Sequence, residues 1–226
     1  MPVYFDVFNG DADGICALHQ LRLTEPREAA LVTGVKRDIG LLSRLGDAAG
    51  STITVLDISL DKNRQALQDL LARENRIFYA DHHFSGDIPV SPLLEAHIDP
   101  QPRACTSTII DSLLGGRYRP WAIVGAFGDN LDETALRLAE SLDLDQPAVQ
   151  SLRETGILLN YNGYGAAVED LFFPPDELYR QVRPYRDPLE FHAHCPALMS
   201  LRTGYRDDMN RAQQLDPVRE SPSGRI

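Results

Sequence analysis

The feature that most constrains the fold is an alternation, through the first hundred residues, of short apolar runs with helical patterns. Val3–Phe8, Ala30–Thr33, Thr52–Leu56 and Arg76–Tyr79 read as strands, separated by Ile15–Leu23, Ile39–Leu45 and Lys62–Arg73, where apolar residues recur at helical spacing. Such alternation predicts βαβ units, hence a parallel sheet covered by helices on both faces. A weaker strand, Glu95–Ile98, follows the Pro-marked segment Pro89–Pro92, and the pattern then turns helical over Thr106–Leu114, Trp121–Phe127, Asp132–Leu142 and Pro147–Asn160. The expected fold class is α/β, a Rossmann-like parallel sheet of about five strands flanked by helices, followed by a mainly helical C-terminal segment. Breakers at Gly163, Gly165, Pro174 and Pro175 make Tyr161–Pro175 a connector, with Asp176–Val182 and a helix around Pro196–Gln214 beyond it. The polar stretch Asp216–Ile226 reads as a linker or a strand just beginning.

Three of these strands end in residues that ligate metals. Val3–Phe8 leads to Asp11 and Asp13, Thr52–Leu56 to Asp57, and Arg76–Tyr79 to Asp81-His82-His83. In an open parallel sheet the carboxyl ends of the strands line the ligand crevice, so these groups are expected to meet in space. One such Asp would be an ordinary turn former or helix cap, and Asp57 alone could cap the helix near Asp61. Three strand ends in a row are a stronger signal, and Asp129, in Gly128-Asp129-Asn130 after an apolar run, is a fourth candidate. Carboxylate oxygens with a minority of imidazoles suit Mn²⁺, Mg²⁺ or Zn²⁺, and several carboxylates sharing one pocket need cations to offset their repulsion. Two ions about 3.5–4 Å apart could stabilise both the entering and leaving oxygens of a phosphoryl displacement.

The four segments Asp11-Ala12-Asp13-Gly14, Val55-Leu56-Asp57, Asp81-His82-His83 and Gly128-Asp129-Asn130 resemble, in order and approximate spacing, the motifs of the DHH superfamily of phosphoesterases. The likeness covers roughly residues 1–165, the expected catalytic domain, and its first motif is most similar to the RecJ branch. The resemblance implies one metal held by Asp13, Asp57, His82 and Asp129, and a second held by Asp11 and the bridging Asp57. It makes Mn²⁺ the expected ion, two per site, with Mg²⁺ an alternative. His83 is expected to face the substrate phosphate as donor or general acid, and Asp81 to orient a histidine from behind. Asn9 is a departure: an amide stands where RecJ-like proteins place a carboxylate, so the Asp11/Asp57 ion is expected to bind more weakly. No Gly-rich motif of the usual second, substrate-gripping domain is present. Residues 166–226 are therefore expected to form a helical connector that ends where that domain would begin.

The implied activity is hydrolysis of phosphodiester bonds in short oligonucleotides or dinucleotides. Inorganic pyrophosphatase activity and a non-catalytic DHH binding module are the alternatives. The formal charge of −11 and pI near 4.9 argue against sequence-independent binding to long duplex DNA, which normally uses a basic face, yet allow a short anionic substrate where bound cations reverse the local potential. No run approaches the ~18 apolar residues of a membrane span, and three cysteines without CxxC spacing fit a reduced compartment, so a cytoplasmic protein is expected.

Other candidates attract blander readings. Thr106 or Ser107 is expected to cap the helix that follows, although free amides there could bind phosphate instead. His19 reads as a packing residue, and His97 as close to the crevice without a motif role. His192, His194 and Cys195 lack a partner cluster and read as an ordinary segment, while Cys16 and Cys105 read as small core residues. In Leu159–Gly165, the Tyr and Asn side chains either touch a nucleobase or sugar or form a packed turn.

Overall fold

The computed structural model describes residues 3–214, 220–221 and 224–225. Its strands alternate faces with the period of two that an extended chain imposes. Val7, Ile53, Val55, Ile77 and Tyr79 belong to one core, and Phe8, Leu56 and Ala80 to the other. The five strands are β1 (Tyr4–Phe8), β2 (Ala30–Val32), β3 (Thr52–Leu56), β4 (Arg76–Asp81) and β5 (Leu94–Ile98), all parallel, in the order β2-β1-β3-β4-β5. The order reverses between β1 and β3, which opens a crevice at their carboxyl ends.

Nine helices follow the chain among the described residues: α1 (Ala12–Thr24), α2 (Arg64–Ala72), α3 (Thr106–Leu113), α4 (Arg119–Gly128), α5 (Asp132–Glu140), α6 (Gln146–Asn162), α7 (Pro175–Val182), α8 (Pro188–His194) and α9 (Pro196–Gln213). The two faces of the sheet are covered unequally. On one, α2 and a 3₁₀ turn at Leu41–Leu45 supply Leu41, Leu42, Leu67 and Leu70. On the other, Ile15 and Leu18 of α1 share a core with Ile110, Trp121, Leu159, Leu178, Phe191 and Leu201. The α/β sheet with a helical C-terminal part is thus present, and α7, α8 and α9 bury their apolar side chains in the same cluster as α1.

Local departures from the sequence reading have simple causes. The helix expected over Ile39–Leu45 is only a 3₁₀ turn, bounded by Gly40 and by Gly46 at φ +52°. Helix α8 was not anticipated; its start is marked by Asp187, whose side chain accepts the Leu189 N–H, and by Pro188 in the first turn. The reading of Asp216–Ile226 falls mostly outside the described residues, of which Glu220–Ser221 and Gly224–Arg225 form a short antiparallel pair.

Three helices approach closely beneath the crevice. A Cβ on Gly128 of α4 would lie 2.3 Å from the Ala12 Cβ of α1, and one on Gly156 of α6 would lie 2.4 Å from the Val124 carbonyl oxygen. Only glycine permits this approach, which brings the end of α4, and Asp129 after it, against the start of α1.

His19 is buried in this layer, edge-on to Trp121, with Nε2 donating to the Tyr185 carbonyl at 2.7 Å. Burial pulls its pKa down to about 4. The folded protein therefore holds His19 neutral, while the unfolded chain takes up a proton below its ordinary pKa of 6.5. Stability is expected to fall by ~3 kcal/mol through this group as pH drops from about 6.5 towards 4. Urea unfolding across that range should show less acid sensitivity in His19→Gln, which retains an N–H donor but does not titrate. Among the described residues, no helix is long and apolar enough to cross a membrane.

Candidate metal centre

The chain leaves β1 through Asn9 and Gly10 and turns directly into α1. Asp11 caps that helix, its Oδ1 accepting the Asp13 and Gly14 N–H groups at 3.1 Å each. A Cβ on Gly14 would lie 2.2 Å from the Asn9 carbonyl oxygen, so the turn requires glycine. Asp13, in the first turn, faces the N-terminus of α3. Its Oδ2 accepts the Thr106 N–H at 2.7 Å, and its Oδ1 accepts the Ser107 N–H at 2.8 Å and the Ser107 hydroxyl at 2.6 Å. The positive end of the α3 dipole is thereby directed at a carboxylate of this protein. Cys105, rather than Thr106 or Ser107, occupies the cap position of α3, and Thr108 Oγ1 accepts the Cys105 N–H at 3.0 Å.

Asp57 follows β3 in the left-handed region at φ +59°, where Asp and Asn are the non-glycine residues best tolerated. Its backbone N–H bonds the Ala80 carbonyl at 3.1 Å, and its Oδ1 accepts the Thr106 hydroxyl at 3.2 Å. It does not cap a helix: the cap position before Asp61 belongs to Leu60. Burial, and then the neighbouring charges of Asp11, Asp13, Asp81 and Asp129, push the Asp57 carboxyl well above the usual carboxylate range.

At the end of β4 the three residues of Asp81-His82-His83 diverge. Asp81 is fully buried; its Oδ1 meets His83 Nδ1 at 2.7 Å, and its Oδ2 has no partner. That bond, first among several influences, raises the His83 pKa and leaves Nε2 as the ring's other polar atom. His82 turns inward. Its Nε2 lies 3.3 Å from Asp57 Oδ1, 3.6 Å from Asp129 Oδ2 and 4.0 Å from Asp13 Oδ2. Asp129 sits at the C-terminus of α4, with its pKa raised to about 6 by burial and then by Asp13 and Asp11, against the opposing influence of His82 and Lys36.

Two overlapping groups therefore have ligand atoms close enough to share an ion: Asp13, His82 and Asp129, and Asp57, His82 and His83, each with atoms within 4.8 Å of one another. An oxygen-rich set with imidazole nitrogen suits Mn²⁺ or Mg²⁺. The fit extends to electrostatics, because the raised Asp57 and Asp129 carboxyls are groups whose ionised forms a cation would stabilise. Asn9 Oδ1 adds a buried oxygen without a hydrogen-bond partner.

Asp11 belongs to neither group. Its Oδ2 is 2.6 Å from the ammonium of Lys36, a residue the sequence reading passed over. Burial pushes the Asp11 carboxyl up, but the Lys36 charge and hydrogen bond outweigh it and hold it below its ordinary value. The available signal was position: Lys36 lies just beyond β2, at the same edge of the sheet as the acidic residues, and is one of only two lysines in the chain.

The remaining candidates lie elsewhere. His97 pairs with Glu95 at 2.8 Å on β5, and His192 contacts Thr155 and Arg202 at 3.1 and 3.3 Å among the C-terminal helices. Cys16, Cys105 and Cys195 are buried free thiols. In the Leu159–Gly165 segment, Asn160 accepts from Lys36 and Tyr161 bonds Asp208.

No family model matches the sequence, and no curated protein matches it. Solved structures do match its fold. The exonuclease RecJ bound to manganese superposes with TM-score 0.55 at 20% identity, over 95% of this chain and 66% of that one. The DHH domain of a member of the s1p family of ribosomal proteins gives TM-score 0.63 at 12% identity, over 94% of this chain and 58% of that one. RecJ from Thermus thermophilus in complex with Mn²⁺ gives 0.53 at 17%, over 93% and 36%. The sheet order and the crevice at its switch point define a doubly wound α/β fold. The chain has the RecJ-like DHH-domain fold, and it spans less than two thirds of the length of each of these structures.

Proposed function

We propose that this chain is a divalent-metal-dependent phosphoesterase that hydrolyses phosphodiester bonds in short oligonucleotides or dinucleotides. The observation that carries the reading is the approach of three carboxylates, Asp57, Asp129 and Asp13 from three separate segments, to within 3.3, 3.6 and 4.0 Å of His82 Nε2 at the carboxyl ends of the strands. These four would hold the ion, and Mn²⁺ is favoured by the donor set and by the two similar RecJ structures described with manganese. Bound there, a divalent ion would supply Lewis-acid charge to a phosphoryl oxygen. The protein's own groups do the rest. The α3 N-terminus and Ser107 fix the Asp13 carboxylate, Thr106 fixes Asp57, and the Ala80 carbonyl locks the backbone at Asp57.

His83 is the group poised to act on the substrate. With Nδ1–H directed at Asp81, its Nε2 accepts a proton when neutral and donates when protonated, and the hydrogen bond to Asp81 shifts the balance towards the donor form. A half-exposed imidazolium beside the ion site suits hydrogen bonding to a phosphate and proton delivery to the leaving oxygen. The surplus of acidic residues over the rest of the molecule disfavours long polyanions and leaves short substrates as the class that the local cation can capture.

A substrate panel tests the proposal. Purified protein supplied with Mn²⁺ is expected to cleave a short RNA and bis-p-nitrophenyl phosphate, to lose both activities in EDTA, and to leave pyrophosphate largely intact. Pyrophosphate hydrolysis as the dominant activity would replace the diesterase reading, and no metal-dependent turnover on any of the three would leave a binding module.

A further inference from the structure

We propose that the Lys36 ammonium takes the place of a second metal ion, so that the site works with one exchangeable cation and one built into the chain. The inference rests on the metal-dependent reading above. Lys36 Nζ lies 2.6 Å from Asp11 Oδ2, 3.5 Å from Asp129 Oδ1 and 3.0 Å from Asn160 Oδ1. It is thus held by three oxygens, two of them from carboxylates expected to ligate ions. Asp11 belongs to neither of the two ligating groups that share His82.

The backbone is built to keep the lysine there. A Cβ on Gly10 would sit 2.1 Å from the Gly34 carbonyl oxygen, so the loops after β1 and β2 approach as only glycine allows. The Lys36 N–H then donates to the Gly163 carbonyl at 2.9 Å, and the Lys36 carbonyl accepts from Asn9 Nδ2 at 3.2 Å. The second of these bonds explains a neutral residue at position 9: an amide donates an N–H to the Lys36 carbonyl, and a carboxylate at this position would have no proton to give. It would also add a further negative charge to a pocket that has already pushed up the Asp57 and Asp129 carboxyls. A lysine suits the role better than an arginine, because its ammonium is a compact point charge rather than a planar fork, and here it stands in a chain that otherwise uses arginine almost throughout.

The arrangement has a chemical consequence. A fixed ammonium neutralises Asp11 and presents positive charge to a phosphate without dissociating, so the site's demand for metal falls to one ion per chain. Asn160 and Gly163, which grip the lysine, lie at the C-terminal end of α6, and so couple this charge to the segment leading into α7.

The test is the number of Mn²⁺ ions bound per chain, measured by equilibrium dialysis with calorimetry on the full chain in the absence of substrate. The wild type is expected to bind one, Lys36→Gln two, and Lys36→Gln with Asp11→Asn one again, since the added ion would need Asp11. Lys36→Arg, which keeps the charge, is expected to bind one and serves if the glutamine variant does not fold. Two ions in the wild type or in Lys36→Arg would overturn the inference and leave the metal-dependent reading standing. One ion in a folded Lys36→Gln would also overturn it. No ion in the wild type would remove the metal-dependent reading itself, and the inference with it.

Discussion

Asp57→Asn is expected to abolish metal-dependent turnover and, at the same time, to raise the melting temperature of the metal-free protein. The loss follows from its place: Asp57 is the carboxylate closest to His82 Nε2, at 3.3 Å, and the one that both overlapping ligand groups adjoin. Removing its charge should cost at least a thousandfold in kcat/KM, equivalent to ~4 kcal/mol of transition-state stabilisation. The gain follows from the same crowding. A buried carboxyl pushed well above its usual range by burial and four neighbouring acids opposes folding when ionised, and asparagine relieves that repulsion in nearly the same shape. Asparagine also tolerates the φ of +59° at this position, where alanine would add strain. A gain of ~1–2 kcal/mol would shift the midpoint by a few degrees for a chain of this size. Steady-state kinetics with Mn²⁺ and calorimetry in EDTA check the two halves separately. Lost activity with lowered stability would mean that Asp57 is mainly a structural residue.

Gly156→Ala is expected to destabilise the fold by ~3 kcal/mol, lowering the melting temperature by roughly 6–12 °C. The new methyl would lie 2.4 Å from the Val124 carbonyl oxygen and 2.8 Å from the Gly128 amide nitrogen, both backbone atoms that no rotamer change can move. Relief requires α4 and α6 to separate. Since Asp129 follows α4 directly, the separation should also draw that carboxylate from His82 and weaken Mn²⁺ binding. A thermal scan within about 2 °C of wild type would show that the packing of these helices is looser than the contacts imply.

The parts of the fold legible in the sequence were those governed by local periodicity. Thr52–Leu56 matches β3 residue for residue because an apolar run between polar turns has few alternatives, and the expected helix from Thr106 is α3 to within one residue. Boundaries failed where glycine or proline chemistry competed with the apolar pattern, as in the 3₁₀ turn at Leu41–Leu45 and in α8. Candidate ligands could be read because strand ends converge by topology: once β1, β3 and β4 are adjacent, Asp13, Asp57 and His82 must be neighbours. Lys36 could not be read in that way. Its role depends on the approach of Gly10 to Gly34 and on the Gly163 carbonyl, contacts made across 24 and 127 positions of sequence that no local pattern encodes. The use of the α3 N-terminus was hidden for the same reason, since amides that look free in the sequence are occupied by Asp13 from 93 and 94 residues away.

Asp13, Asp57, His82 and Asp129 are expected to form one metal centre at the switch point of the sheet. Anomalous diffraction at the manganese edge, from crystals of this chain soaked in Mn²⁺, tests it most directly. A strong peak enclosed by those four side chains is the predicted result; a soaked crystal with no peak there, or with its only peaks at surface carboxylates, would contradict it.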